Sequence, residues 1–227
     1  TLSLPEPGEP CKGILETFPK AHQAQYQCQA LIDLALRLRQ RIASIGAVEQ
    51  VEIATSRHLH RAIGSSWRDD PAGEAAPRPA RRHDALRVLA HVLRHGGIPP
   101  DETGAPDPLE QRIRTMESAE WSVRSHDPDP KVQCFGAQMR VVLAGGGTLV
   151  ARMEWPDAHP LGERPWQPAD YVQRFRQLTA GCLTAAAQDA LAERTLRLEA
   201  LCVAEVNVLD FPAPPADNAA PVRGAIF

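Results

Sequence analysis

The sequence AQMRVVLAGGGTLVARMEW, residues 137–155, decides the fold. Apolar side chains occupy every second position on both sides of a triple glycine, Gly145–Gly147. The alternating apolar set is Ala137, Met139, Val141, Leu143, Leu149, Ala151, Met153 and Trp155. This period of two predicts two strands with one buried face, joined by a turn at the glycines. A phosphate-binding loop would instead place its glycines before a helix, so the pattern favours a plain β-hairpin.

One further strand and several helices surround this predicted hairpin. Residues 48–55 (VEQVEIAT) carry a similar alternation and predict a third strand in the same sheet. Apolar residues at helical spacing predict helices over about 28–42, 82–95, 109–116, 168–178 and 184–201. Loops rich in proline and glycine separate these elements. The predicted fold class is therefore α+β, with helices that flank a small sheet containing the hairpin.

Composition limits the class of protein. The chain has 227 residues, is 43% hydrophobic and carries a net charge of -3, which suffices for one large domain or two small ones. The near-neutral balance argues against nucleic acid as the main partner. No apolar run is long enough to cross a bilayer, so no membrane partner is expected. Residues 1–10 lack the features of a signal peptide, and the five cysteines are scattered, so a cytoplasmic protein with reduced thiols is expected. The first residue is Thr rather than Met, which suggests a piece of a longer chain.

A polar segment before the first predicted helix is the candidate binding region. It runs from Phe18 to Gln29 and holds amide, imidazole, hydroxyl and ammonium groups in close succession. The side chains that supply them are Lys20, His22, Gln23, Gln25, Tyr26, Gln27 and Gln29. Such groups can hold an anionic ligand beside a well-anchored helix, because helix N-termini attract negative charge. The alternative interpretation is a solvated loop.

Several short motifs resemble the MmgE/PrpD family, which includes 2-methylcitrate dehydratase and cis-aconitate decarboxylase. Residues 26–35 (YQCQALIDLA) resemble a family segment in which an aromatic residue, a polar position, a small residue and Gln lead into a helix. Residues 155–160 (WPDAHP) are similar to aromatic-Pro-x-Gly-His-Pro, with Ala158 in the place of Gly. Four other segments resemble family motifs in matching order, namely 48–55, 79–84, 107–117 and 171–176. The third of them resembles a short helix of the family.

This resemblance covers about residues 14–209 and corresponds to the C-terminal half of a full-length member. It implies a lead-in at 1–19, an α+β lid-type domain at 20–165, C-terminal helices at 166–209 and a disordered tail at 210–227. The C-terminal helices would pack on an all-helical domain, which precedes this region in the family and is absent from this sequence. We therefore expect that N-terminal helical half as a partner, from the same precursor or a separate chain, in a homo- or hetero-oligomer.

The resemblance also implies a lyase that acts on a small polycarboxylate without a metal ion or a cofactor. The implied reaction is dehydration of a 2-methylcitrate-like substrate, or a related decarboxylation or isomerisation. An ungapped comparison back from residue 26 puts Lys20 on an active-site lysine of the family, and Gln25 where other members have a catalytic His or Glu. The implied catalytic residue is Lys20, and the implied substrate-binding residues are Gln25, Gln29, Arg82 and His159.

Alternatives to these assignments stay open. The family's aromatic-Pro pair falls on His22-Gln23 here, whereas a register shifted to Phe18-Pro19 would take Lys20 off the catalytic position. Arg82 equally fits the start of a plain helix, and His159 a cap on the hairpin. The whole chain could also be a non-catalytic homologue, or a complementing subunit that works with a separate helical chain.

Overall fold

The structure is a computed structural model of the 227-residue chain. It describes residues 18–64, 85–98, 107–127, 133–197 and 200. The chain divides into two compact units, residues 1–165 and 166–227. The first unit is an α+β domain, and the described part of the second consists mainly of two helices. Within the residues that the structure describes, no helix combines the length and the apolarity needed to cross a membrane.

A four-stranded mixed sheet forms the centre of the first unit. Its strands are β1 Val48–Thr55, β2 Ile113–Glu117, β3 Ala137–Leu143 and β4 Thr148–Met153, in the order β2-β1-β3-β4. Strand β1 runs antiparallel to β3 and parallel to β2. The turn between β3 and β4 uses Gly145 and Gly146 at φ of 87° and 85°, a region that favours glycine. The hairpin, the third strand and the α+β class predicted from the sequence are thus confirmed.

Helices flank this sheet in the first unit, and two helices make up most of the described part of the second unit. In the first unit they are α1 Gln29–Arg39, α2 Arg57–Gly64, α3 Ala85–His95 and α4 Ala119–Arg124, and in the second α5 Pro168–Thr179 and α6 Ala185–Leu196. Single 3-10 turns at Tyr26–Cys28, Ile45–Ala47 and Glu110–Arg112 precede α1, β1 and β2. Helix α4 was not predicted, because its 6 residues are too few to show helical periodicity.

The core lies on one face of the sheet, against α1 and α3. The central strands face it in register, since Val51 pairs with Val141 and Ile53 with Met139. Helix α1 adds a fully buried stripe of Leu31, Leu34 and Leu38. Burial of one such side chain contributes roughly 1.5–3 kcal/mol, so the stripe is enough to hold α1 on the sheet. The opposite face carries polar, more exposed side chains, as is common in sheets with an antiparallel pair: Glu52, Gln138, Arg140 and Arg152.

The prediction of a short helix over Leu109–Met116 is wrong. Residues 110–112 form a single turn, and β2 follows, paired in parallel with β1. The apolar positions Leu109, Ile113 and Met116 have helical spacing, but Met116 is 45% exposed. Two β-branched residues in β2 suit a strand, and pairing with the edge of β1 satisfies the backbone groups of both strands. The long-range pairing therefore overrides the local helical spacing.

The second unit is built on two capped helices. Pro168 occupies the first turn of α5, where Gln167 and Asp170 form a reciprocal capping box. The side chain of Gln188 in α6 donates to the carbonyl of Arg176 at 3.1 Å and fastens the two helices together. None of the residues of α5, all of which are described, is buried. The tail predicted at 210–227 lies outside the described residues.

Candidate functional site

Three segments meet around one buried carboxylate, that of Asp33 in α1. They are the lead segment (residues 18–28), α1 itself, and the post-hairpin loop (residues 154–164) that follows β4; we call their meeting place the junction. Asp33 is 6% exposed, its Oδ1 lies 2.7 Å from Nε2 of His22, and its Oδ2 accepts the backbone N–H of Asp157 at 2.9 Å. A carboxylate is costly to bury unless it is hydrogen-bonded. These two contacts therefore bind both irregular segments to α1.

Gln29 shapes the lead segment from the first turn of α1. Its side chain is fully buried; Oε1 accepts the backbone N–H of His22 at 2.9 Å, and Nε2 donates to the carbonyl of His22 at 3.1 Å. The amide thereby satisfies both backbone groups of one residue, as a neighbouring strand would. This pairing explains how a segment with little regular structure keeps a defined path over the start of α1.

Two arginines clamp the post-hairpin loop. The carboxylate of Asp157 accepts hydrogen bonds from Arg37 of α1 and from Arg164 of the loop itself. Arg37 also reaches Glu163 at 3.0 Å, and this hydrogen bond is the main cause of a raised pKa for the Arg37 guanidinium. The loop is therefore tied to α1 twice, through the backbone of Asp157 and through its side chain.

His159 is the most enclosed polar side chain of the post-hairpin loop. It is 2% exposed, its ring stacks on Trp155 at 4.4 Å and 16°, and the ring of Phe18 lies 4.2 Å away at 48°. Its Nδ1 accepts the backbone N–H of Leu161 at 3.0 Å. Burial lowers the pKa of His159 to about 4, so the imidazole is neutral at physiological pH and carries its proton on Nε2. Within the described part of the chain, that Nε2 has no hydrogen-bond partner.

An aromatic cluster continues from His159 along the lead segment. The rings of Phe18 and Tyr26 are 6.4 Å apart, and Tyr26 meets Phe135 edge-on at 6.0 Å. Burial raises the pKa of Tyr26 to about 12. The phenol therefore stays protonated at neutral pH. The junction thus combines a buried hydrogen bond between His22 and Asp33, a neutral imidazole and a neutral phenol around apolar rings.

The sequence matches the family model described as the MmgE/PrpD C-terminal domain over residues 22–199. The chain belongs to the MmgE/PrpD family. The matched span begins in the lead segment and includes α1, the whole sheet, the post-hairpin loop and both helices of the second unit. The resemblance inferred from the motifs is therefore confirmed. MmgE/PrpD proteins are in general dehydratase-like lyases.

The structure brings four of the site residues predicted for this MmgE/PrpD chain to the junction. Gln29 and His159 are buried there, whereas Lys20 and Gln25 lie on the lead segment with exposed side chains. The side chain of Lys20 forms no hydrogen bond or ion pair with other described residues. Arg82 lies outside the described residues. Among the residues described, no group of three or more His, Cys, Asp or Glu side chains is arranged to hold a metal ion.

The pairing of His22 with Asp33 and the hydrogen bonds from Arg37 and Arg164 to Asp157 were not predicted from the sequence. A signal for the first was present, because Asp33 interrupts an apolar stretch of α1 and a buried acid needs a partner. Neither its partner His22 nor the contact with Asp157 could be read from local spacing. These contacts join residues 11 and 124 positions apart, and the clamp from Arg37 spans 120 positions.

Proposed function

We propose that this chain is part of a metal-independent hydro-lyase that acts on a polycarboxylate. Membership of the MmgE/PrpD family over residues 22–199 carries this proposal. The favoured reaction is dehydration of a 2-methylcitrate-like substrate. A related decarboxylation or isomerisation is the variant, since the resemblance includes decarboxylating members.

The reaction needs a base, a cation and hydrogen-bond donors. The base removes a proton α to a carboxylate, and the neighbouring hydroxyl leaves as water once it has been protonated. Negative charge builds up on the enolate-like carboxylate, so cations and donors near it lower the barrier. In this proposal the ammonium of Lys20 binds that carboxylate or protonates the leaving group, while Gln25, Arg82 and His159 bind the other oxygen atoms.

Gln29 supports the site through the backbone in this proposal. Its amide is engaged with the backbone of His22, two residues after Lys20. It therefore positions the segment that carries Lys20. Direct contact between Gln29 and substrate, which the motif predicts, would require these hydrogen bonds to break.

The remaining catalytic groups would come from an N-terminal helical half. In the second unit, Tyr171 and Leu178 of α5 are 48% and 54% exposed, and Leu196 of α6 is 59% exposed. Large apolar side chains exposed along helices favour association with a partner. We propose the helical half, as a separate chain or from the same precursor, as that partner, within a homo- or hetero-oligomer.

Gln25 favours a second candidate, a complementing subunit without its own catalysis. The amide of Gln25 cannot transfer a proton at neutral pH, and it stands where the resemblance places a catalytic His or Glu in other members. Such a chain would bind carboxylates or complete the enzyme only together with a separate chain that supplies the helical half. Loss of all tricarboxylate binding would instead indicate a non-catalytic homologue.

The variant Lys20→Ala tests the lyase proposal in protein reconstituted with the helical half. Loss of one charge-assisted bond to a carboxylate should cost roughly 1.5–3 kcal/mol, or about one to two decades in rate or affinity. Turnover and binding of a tricarboxylate measure the effect, and Lys12→Ala serves as the control. If Lys20→Ala behaves like the control and the wild type, the assignment is wrong and the register at Phe18-Pro19 is better.

A further inference from the structure

His159 presents a donor without an acceptor in the middle of the junction. The backbone N–H of Leu161 donates to Nδ1, so Nδ1 holds no proton and the neutral ring carries its hydrogen on Nε2. That N–H is buried and has no partner among the described residues. An unsatisfied buried donor costs about 1–3 kcal/mol, and such groups are rare in folded proteins. The missing acceptor therefore calls for an explanation.

We propose that His159 binds a carboxylate oxygen of the ligand through Nε2–H, as a neutral imidazole, and that Phe18 leaves its place against the imidazole to admit that ligand. This inference rests on the proposed function, because it takes the ligand to be a polycarboxylate. A neutral donor suits a carboxylate acceptor, since it adds a directed hydrogen bond without the desolvation cost of a second buried charge. The depressed pKa of His159 agrees with a ring that stays neutral.

Phe18 is the ring free to leave, because the described residues that follow it in the chain are less constrained than those that follow Trp155. Trp155 belongs to the post-hairpin loop, which is held two residues later by the contacts of Asp157 with Asp33 and Arg37. Residues 18–20 have no regular secondary structure, and the first side-chain anchor of the lead segment in the described residues is at His22. Phe18 can therefore move while the anchor at His22 stays intact.

The same movement would carry Lys20 with it. Lys20 lies between Phe18 and the anchor at His22, and its side chain is exposed. A displaced lead segment would thus uncover the donor of His159 and reposition the ammonium in one step. A ligand with two or more carboxylates can meet both groups, whereas a monocarboxylate can meet only one.

Two substitutions at position 159 test separately the donor role of Nε2–H and the acceptor role of Nδ1. His159→Asn keeps an acceptor near the Nδ1 position for the N–H of Leu161 and removes the Nε2 donor. His159→Gln places an amide N–H near the Nε2 position and loses the acceptor. With citrate as the probe and the full chain in solution, we expect His159→Asn to bind at least about tenfold more weakly than wild type. His159→Gln should retain more of the affinity.

A direct readout is the imidazole of His159 in 15N–1H NMR spectra. Citrate should move its Nε2–H proton downfield, and Phe18→Ala should both speed exchange of that proton with water and tighten citrate binding. Phe135→Ala is the matched control, because the ring of Phe135 packs on Tyr26 in the same cluster. It should change neither quantity. Melting curves of all variants confirm that each is folded.

Three outcomes would overturn the inference. Citrate at high concentration could leave the Nε2–H signal of wild type and Phe18→Ala unmoved, His159→Asn could bind as the wild type does, or Phe135→Ala could act like Phe18→Ala. These outcomes are separable from the lyase proposal. An active reconstituted enzyme that is indifferent to His159→Asn contradicts the inference and the substrate-binding role of His159, but not the proposed lyase activity. Citrate binding at His159 without any turnover contradicts only the proposed lyase activity.

Discussion

Asp33 carries a charge on a helix whose neighbouring positions are apolar, and both of its oxygen atoms are engaged. The substitution Asp33→Asn keeps the shape, removes the charge and turns one acceptor into a donor. If the amide oxygen accepts from the backbone N–H of Asp157, the amide N–H₂ faces Nε2 of His22, which must then change tautomer to accept it. We expect the free energy of unfolding to fall by roughly 1–3 kcal/mol, measured by urea denaturation.

The control for Asp33→Asn is Glu120→Gln. Glu120 pairs with Arg152, and both side chains are about half exposed. Exposed ion pairs contribute about 0–1 kcal/mol, so this change should be nearly silent. Equal, small effects of the two substitutions would show that the buried pair does not hold the junction together.

The lowered pKa of His159 makes the free energy of unfolding depend on pH. Its pKa is about 4 in the folded chain and about 6.5 in an unfolded one. As the pH falls, the unfolded chain takes up the proton first, because its imidazole has the higher pKa. The contribution of His159 to the free energy of unfolding is therefore complete above pH 6.5 and is lost between about 6.5 and 4. The loss should reach roughly 2–3 kcal/mol, visible in thermal unfolding across this range. His159→Asn should lack this part of the pH dependence, and parallel curves for the two proteins would contradict the assignment.

At the scale of residues, the sequence could propose chemical groups but not their use. The family resemblance implied that Gln29 binds substrate, and this stays a prediction; in the structure its amide is hydrogen-bonded to the backbone of His22. The segment that holds the polar groups was recognisable from composition. Some of these polar groups hydrogen-bond to the backbone, whereas others, such as Lys20, stay exposed. The contacts that decide between the two form only on folding.

Helix α4 and strand β3 are packed too closely for any side chain at Gly136. A Cβ atom there would overlap the indole of Trp121, which is 2% exposed and has little room to move. We expect Gly136→Ala to lower the free energy of unfolding by roughly 1–3 kcal/mol, through strain between these elements. Gly97→Ala is the control, because a Cβ at Gly97 meets nothing within 4 Å. Two equal denaturation midpoints would contradict this account.

At the scale of elements, periodicity succeeded where one face of an element is buried throughout. The hairpin around Gly145–Gly147 is such a case, since the inner face of β3 is continuous with the core. It failed at β2, an edge strand of 5 residues in which only the first, Ile113, is buried. A strand with one buried residue at its start offers no alternation, and only its pairing with β1 defines it.

At the scale of the whole molecule, the described helices of the second unit expose large apolar side chains to solvent. We expect the chain to form oligomers at micromolar concentration in analytical ultracentrifugation, because Leu178 and its neighbours on α5 are exposed. Leu178→Glu should shift the population towards monomer. Gln173→Glu, on an exposed position of the same helix, should leave it unchanged. A strictly monomeric wild-type chain would count against the proposed partner surface.

At the scale of the molecule, motifs gave the family, and local patterns gave most elements. The junction could not be assembled from them, because its three segments come together over separations such as the 124 positions between Asp33 and Asp157. No local pattern encodes such a distance. Arg82 was assigned from a motif alone, and that assignment stays a prediction.

The position of β1 in the sheet has a consequence for biosynthesis. Its partners Ile113 and Val141 lie far downstream of Val51 in the chain. At about 5–20 residues per second, the ribosome takes on the order of ten seconds to add the last of them. Both edges of β1 lack their partners until β2 is made, and the edge that pairs with β3 stays unpaired, beside an apolar face, for the whole interval. The nascent chain is therefore expected to depend on chaperones until β3 emerges, and slower translation should increase its aggregation.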